Sequence, residues 1–338
     1  TRVEWRGGTA RAWTRRWWAG EAGAVGRLAD LALLPAEGAF RAAAALRRAL
    51  YARGLLSRCE PALPVVSVGN LRVGGSGKTP LVRWIVECLA AHGRRPAVVH
   101  GGYAQDEPTL LRSWLPDVPV VALRDRCAAV ERARAAGADV AVLDDAFQHL
   151  RMPRRLDVVL VPAESWSSAP RLLPRGGWRE PPAALERAQV VLVTRKTATP
   201  ERAAEVAGEV ARLAPTALVA RFRLETESWR RWPAGQGGRP AGPALLVAAI
   251  AEPGPFLAGA RAAGAEVREA MLFPDHHPYT DDDVRRIRAR ARQGPIVTTE
   301  KDAVKLEGRV SPLWVLPLRA VPEEGGAAFE ARLREVLA

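Results

Sequence analysis

With 338 residues, 48% of them hydrophobic and 26% charged, the chain is long enough for two ordinary domains and too apolar for a disordered tract. Only four of the 50 cationic residues behind the net charge of +13 are lysine (Lys78, Lys196, Lys301 and Lys305); an arginine bias of this kind resembles GC-rich coding, and it makes each retained lysine informative. Three scattered cysteines, Cys59, Cys88 and Cys127, argue for a reducing compartment and against a zinc site or a disulfide frame, and neither a spanning apolar run nor a secretory leader is visible.

Residues 1–55 form the first segment. Trp13, Trp17 and Trp18 stand among arginines ahead of helical stretches rich in Ala and Leu, with Phe40. That mixture suits a segment lying in the headgroup layer of an anionic membrane; the alternative is a helix packed on the protein's own core. From there strand and helix alternate. Val65–Val68, Ala97–Val99, Pro119–Ala122, Val140–Leu143, Val158–Val161 and Val190–Val193 read as strands, with helices over Thr79–His92 and Asp125–Ala136. Apolar, non-alternating strands separated by helices predict a parallel sheet with helices on both faces, over residues 56–224. After the strand-like Ala217–Leu224, the stretch WRRWPAGQGGRPAGP reads as a linker, placed at 225–243. Ala244–Ile250, Glu266–Leu272, Ile296–Thr299 and Leu313–Leu316 then suggest a smaller C-terminal α/β domain, 244–338.

VVSVGNLRVGGSGKTP carries the first chemistry. Gly74, Gly75, Ser76, Gly77, Lys78 and Thr79 lie between a strand and a helix, where backbone N–H groups and the helix N-terminus can cradle phosphates. Lys78 would reach the β- and γ-phosphates and Thr79 a Mg²⁺ ion. The strict P-loop pattern asks for glycine at position 72, where Arg72 stands. In ADVAVLDDAFQH an apolar strand ends in Asp144 and Asp145, carboxylates that can hold Mg²⁺ beside the loop or simply form a turn. Two further clusters are candidates for handling an acceptor. Asp106 and Glu107 also suit a helix start, and Asp275, His276 and His277 in FPDHHPYT also suit a solvated turn.

Taken in order, LRRALYARGLL, VVSVGNLRVGGSGKTPLV, DEP, DVAVLDDAFQH, RLLPRGGWREP, FPDHH and TTEKDAVK resemble the tetraacyldisaccharide 4'-kinase (lipid A 4'-kinase) family of Gram-negative bacteria, from about Ala44 to Leu306. The family's own loop also has a non-glycine at the place of Arg72. The resemblance implies a P-loop NTPase-type kinase that uses ATP and Mg²⁺. It would phosphorylate the 4'-hydroxyl of a tetraacyldisaccharide 1-phosphate at the cytoplasmic face of the inner membrane, as a peripheral or monotopic protein. Apart from the resemblance, a monomer acting without nucleic acid is the expectation for this chain. Carried over by motif, Lys78 and Thr79 serve phosphate and metal, Asp144 and Asp145 the metal, Asp106 is the base for the hydroxyl, and His276 tunes it. An aspartate near 3.9 would orient the hydroxyl and collect its proton late. A base and partner on different domains imply closure of the smaller domain over the site. Arg175, Arg179 and Glu180 would line the nucleotide or lipid-phosphate side.

The chain departs from the family at His100-Gly101-Gly102-Tyr103, where Ser-Arg-Gly-Tyr is usual, in the short loop that follows, at Ala146 in place of glycine, and at Ser168-Ala169-Pro170. These changes bear on substrate grip and on the reach of Asp106. Two rivals belong to other classes. A P-loop ATPase switch or metallochaperone would carry a lysine where Val73 stands. A nucleic-acid-dependent ATPase, suggested by the pI near 10.8, would interleave aromatics with basic residues along the body, whereas four of eleven tryptophans fall in the first 18 residues.

Overall fold

Apolar runs bounded by glycine and proline become strands, and the amphipathic runs between them become helices, in a computed structural model that describes residues 2–6, 9–18, 20–103, 105–233, 235, 237–292 and 294–337. Strand β1 (Arg2–Trp5) precedes three helices, α1 (Thr9–Trp18), α2 (Gly23–Ala32) and α3 (Leu34–Ala52). The alternating series follows as β2 (Val65–Asn70), α4 (Lys78–Ala91), β3 (Pro96–His100), α5 (Asp106–Trp114), β4 (Val120–Ala122), α6 (Arg126–Ala135), β5 (Val140–Leu143), β6 (Leu156–Pro162), β7 (Val190–Arg195), α7 (Pro200–Leu213) and β8 (Leu218–Thr226). Then come β9 (Arg230–Trp232), β10 (Ala244–Ala248), α8 (Pro253–Ala262), β11 (Val267–Leu272), α9 (Asp281–Ala291), β12 (Ile296–Thr298), α10 (Glu300–Leu306), β13 (Leu313–Val315), β14 (Leu318–Glu324) and α11 (Gly326–Leu337).

Two compact units result: Arg16–Tyr103 with Leu111–Leu224 and Ala320–Ala338, and Thr1–Arg15 with Ala104–Leu110 and Glu225–Arg319. The larger unit holds an eight-stranded sheet in the order β14-β8-β7-β6-β2-β5-β3-β4. β2 pairs in parallel with β5 on one side and β6 on the other, so the strand order reverses at the strand that feeds the glycine loop. Open α/β sheets bind ligands at that switch point. Every residue from Val65 to Asn70 is buried, so both faces of β2 must be covered. Ala129, Val130 and Ala133 of α6 join Val65, Val99 and Leu143 in one cluster, and Ala203, Val206 and Val210 of α7 pack with Val159, Val161, Val191 and Val193 in another. Helix α4 lies against β2, β3 and β5. Trp84 of α4 stacks with Phe329 of α11 and meets Phe222 of β8 edge-on, seating the C-terminal helix. The smaller unit has a six-stranded sheet, β1-β11-β10-β12-β13-β9, parallel except for β9 on β13.

The expected strands of the core and of the C-terminal segment all form, with ends shifted by a residue or two. Other expectations change. Arg2–Trp5 pairs in parallel with β11, although the first 55 residues read as one surface segment. The stretch read as a linker contains β9 and the buried Trp229. The terminal residues 320–338, expected with the C-terminal domain, cluster with the larger unit. Among the tryptophans assigned to a headgroup layer, Trp17 is only 5% exposed and donates Nε1–H to Asp30. The apolar stripe turned to solvent is instead Val25, Leu28 and Leu31, spaced three apart on α2, with Leu28 67% and Leu31 65% exposed. Cys59 and Cys127 are joined by a disulfide, against the expectation of separate thiols. Their sequence separation of 68 leaves no local signal; the pairing arises because the start of α6 meets the segment ahead of β2.

Candidate active site

The glycine loop runs from the end of β2 into α4. Gly74 and Gly77 have φ of 109° and 81°, left-handed values that a side chain resists. Gly77 serves as the N-cap of α4, and no acidic residue occupies the first turn, so the positive end of the helix is left for an anion. Asn70 Nδ2 donates to Ser76 Oγ at 2.7 Å, tying the loop to the buried strand. Arg72 forms a bridge to Trp178, Val73 N–H donates to Gly177 O at 2.8 Å, and Arg179 N–H donates to Leu71 O at 2.7 Å. The segment RGGWRE thus holds the first half of the loop as a strand-like partner. Extended backbone at position 72 needs no glycine, which accounts for the departure from the strict pattern.

Lys78 opens α4 and its Nζ lies 3.6 Å from Asp145 Oδ1, while Thr79 follows it, half-buried. Asp144 and Asp145 end β5 at the same edge. Asp144 is almost fully buried, and its N–H donates to Val99 O. Asp145 is left-handed, with φ 51°, an uncommon state for a residue with a side chain. Arg126 accounts for it. This buried guanidinium donates from Nη2 to the carbonyls of Asp144 (3.1 Å) and Asp145 (2.8 Å). The turn aims the Asp145 carboxylate at Arg179 Nη1 (2.9 and 3.0 Å) and at the Tyr103 hydroxyl, which donates at 3.1 Å. Burial pushes the Asp145 carboxyl upward, but Lys78, Arg179 and Tyr103 outweigh it and hold it well below the usual carboxylate range. Phosphate loop, lysine and two carboxylates make a donor set that fits a Mg²⁺–triphosphate: backbone N–H groups and an ammonium for the anion, hard oxygens for the cation.

The second cluster belongs to the smaller unit. Asp106, only 5% exposed, begins α5 and faces His276 Nδ1 through both oxygens, at 2.9 and 3.0 Å. Lys305 Nζ lies 3.5 Å from Asp106 and 2.8 Å from Asp302. Lys301 Nζ lies 3.1 Å from His276 Nε2 and 3.4 Å from both Glu107 and Asp275. Burial raises Asp106, yet His276, Lys301 and Lys305 together hold it well below the ordinary range. The hydrogen bond with Asp106 raises the His276 imidazole, against burial and the Lys301 charge. His277 is placed otherwise: its Nε2 meets Asp283 Oδ2 at 2.8 Å, inside the capping box of α9. Asp106 and His276 were expected on different domains; residues Ala104–Leu110 cluster instead with the unit that carries His276.

Lys301, Lys305, Tyr103 and Arg126 were not among the predicted site residues. For the two lysines a signal existed, since TTEKDAVK holds half of the lysines in the chain. Nothing local marks Arg126, one arginine among many. Arg175 and Glu180 point elsewhere than the phosphate loop: Arg175 pairs with Glu37 of α3, and Glu180 with Arg48 and Arg187.

The family model for tetraacyldisaccharide-1-P 4'-kinase matches residues 29–338. A tetraacyldisaccharide 4'-kinase of Anaeromyxobacter dehalogenans (strain 2CP-C) is 42% identical over 331 residues, covering 86% of this chain and 85% of its own. Its counterpart in Halorhodospira halophila (strain DSM 244 / SL1) is 39% identical over 313 residues, covering 86% and 89%. The crystal structure of LpxK from Aquifex aeolicus in complex with ATP matches with a TM-score of 0.71 at 24% identity, over 91% of this chain and 99% of that one, which shows a common fold. With a family model spanning most of its length and relatives this similar over most of theirs, the chain belongs to the tetraacyldisaccharide 4'-kinase family.

Proposed function

We propose that this protein transfers the γ-phosphate of ATP to the 4'-hydroxyl of a tetraacyldisaccharide 1-phosphate. The bond from the γ-phosphorus to the β,γ-bridging oxygen breaks, a bond to the 4'-oxygen forms, ADP leaves, and the hydroxyl proton passes to the protein. The observation that carries the proposal is the phosphate loop with Lys78 beside Asp145, in a chain of this family. Lys78 and the N–H groups from Gly74 to Thr79 bind and orient the triphosphate. Thr79, Asp144 and Asp145 would hold Mg²⁺, which when bound neutralises charge developing on the phosphates.

For the proton, the geometry favours a division of labour different from the one the motif comparison implied. Asp106 is buried, already charged and surrounded by cations, so a hydroxyl gains little by approaching it. His276 is more accessible; with its Nδ1–H directed at Asp106, its Nε2 accepts from Lys301 Nζ at 3.1 Å, a contact that a hydroxyl must displace to deliver its proton there. His276 Nε2 is therefore the proton acceptor. Asp106 orients the ring and stabilises the imidazolium, and Lys301 limits how basic the ring becomes.

An acylated acceptor requires access to lipid. Among the described residues no helix is long and apolar enough to cross a membrane. The exposed Val25, Leu28 and Leu31, with Arg27 on the same helix, suit a peripheral contact with the anionic cytoplasmic face of the inner membrane, where ATP is at hand. The test follows radiolabel from γ-labelled ATP into a purified disaccharide 1-phosphate lipid in detergent micelles. Wild type labels the lipid, Lys78→Ala loses essentially all transfer, and His276→Gln lowers kcat about 10²-fold or more with a smaller change in KM. Equal transfer by His276→Gln and wild type would remove the proposed acceptor; no transfer by wild type would remove the kinase.

A further inference from the structure

Helix α2 has little of its own to hold it in place. Of its ten residues only Gly26 is buried, and Val25, Leu28 and Leu31 face solvent. Two acidic side chains anchor α2 and α3 to one segment of the larger unit. Asp30 of α2 accepts from Trp17 Nε1–H at 3.1 Å and from Arg171 Nη1 at 2.5 Å. Glu37, buried in the first turn of α3, accepts the Leu172 N–H at 2.8 Å and has Arg175 Nε 2.9 Å from its other oxygen.

Both carboxylates thus grip residues 171–175, and the return of that segment backs the phosphate loop. Leu172 bridges to Trp178, and Leu173 N–H donates to Trp178 O at 2.8 Å. Trp178 in turn bridges to Arg72, and Gly177 O takes the Val73 N–H. The Trp18 ring presses on the same point: a β-carbon at Gly177 would lie 3.3 Å from it and 3.5 Å from Val73. Ion pairs and backbone hydrogen bonds therefore connect α2 and α3 with the first half of the loop. An isolated helix as short as α2 is marginal in water, and apolar burial is what normally secures such a helix. A lipid surface covering Val25, Leu28 and Leu31 would supply that burial.

We infer that Asp30 and Glu37 couple the seating of α2 and α3 to the phosphate loop, so that an anionic lipid surface bound along Val25, Leu28 and Leu31 tightens the binding of Mg²⁺–ATP. The inference rests on the peripheral membrane contact and on the nucleotide site of the kinase reading. Asp30 and Glu37 lie outside the loop and act through residues 171–178, which makes them positioning residues. In water α2 occupies its seat part of the time. Seating of about 10–30% reduces apparent nucleotide affinity about three- to tenfold, and the lipid surface removes that reduction.

Full-length protein is titrated with a fluorescent, non-hydrolysable ATP analogue and Mg²⁺, with and without vesicles of phosphatidylethanolamine and phosphatidylglycerol. Sedimentation with the vesicles is measured in parallel. Wild-type affinity for the analogue is expected to rise about three- to tenfold on vesicles. Saturating analogue is expected to raise vesicle affinity by the same factor, because coupling between two binding sites is reciprocal. Asp30→Asn with Glu37→Gln keeps the apolar stripe and the acceptors for Trp17 and Leu172 while removing both charge pairs. This variant should sediment, yet bind the analogue on vesicles about as wild type does without them. Leu28→Glu with Leu31→Glu should retain the vesicle-free affinity and show no response. Vesicle-bound wild type with unchanged or weakened analogue affinity overturns the inference. So does an undiminished response in either double variant. Wild type that does not sediment removes the membrane contact and this inference together. A protein whose analogue affinity follows the vesicles but which transfers no label upholds the coupling and sinks the kinase reading alone.

Discussion

Gly77→Ala tests whether the conformation of the phosphate loop, and not merely its composition, supports the site. A β-carbon at Gly77 would lie 2.4 Å from Leu224 Cδ1 and 3.2 Å from Cδ2, on a backbone with φ of 81°. The left-handed conformation costs an L-residue about 1–2 kcal/mol. Leu224 is buried and can yield only by leaving its rotamer, at about 0.5–1.5 kcal/mol more. A central value of about 2.5 kcal/mol lowers the thermal midpoint of a unit this size by roughly 5–10 °C. Gly75→Ala is the matched control: its β-carbon meets nothing within 4 Å and its backbone is not left-handed, so the melt should stay close to wild type. That open space is nevertheless where phosphate would approach the backbone, so Gly75→Ala keeps stability and loses nucleotide affinity. Gly77→Ala loses both. Far-UV circular dichroism melts and titration of a fluorescent ATP analogue read the two effects. A Gly77→Ala protein that melts with wild type, or a Gly75→Ala protein that melts well below it, would refute the reasoning.

The pH dependence of kcat/KM reports His276. Because Asp106 raises its pKa, the acid limb should lie above the ordinary histidine value of about 6.5. Asp106→Asn removes the raising partner and keeps burial and Lys301, which both lower the pKa, so the limb moves to lower pH as kcat falls; an unmoved limb would mean that another group titrates. Asp145, whose carboxyl is held low in the folded state, contributes stability that is present above about pH 3.9 and lost as pH falls toward its folded value. Urea unfolding of Asp145→Asn should accordingly show a deficit at pH 7 that narrows below about pH 4, and a deficit independent of pH would contradict the ion pairs. Leu28→Glu with Leu31→Glu should abolish sedimentation with anionic vesicles while leaving the melt within about 0.5 kcal/mol of wild type, since both side chains are exposed; undiminished sedimentation would move the membrane contact elsewhere.

Wherever the determining contacts are local, the sequence by itself decided the outcome. Apolar β-branched runs bounded by glycine became strands, and Gly74 to Thr79 between a strand and a helix became a phosphate cradle, because strand, turn and helix N-terminus lie within a dozen residues. The ordered motifs also brought Asp144, Asp145, Asp106 and His276 into view as candidates. Their mutual contact was not legible. Asp106 and His276 are 170 residues apart, and only packing laid the buried carboxylate against the imidazole, with Lys301 and Lys305 around the pair. Long-range pairing likewise decided that Arg72 may replace a glycine, that Arg126 holds Asp145 in a left-handed turn, that Cys59 meets Cys127, and that Arg2–Trp5 joins a sheet. Periodicity records which face of an element is buried. It carries no record of which distant residue will lie against that face, because that depends on the order in which parallel strands assemble, and strand order is a property of the whole chain.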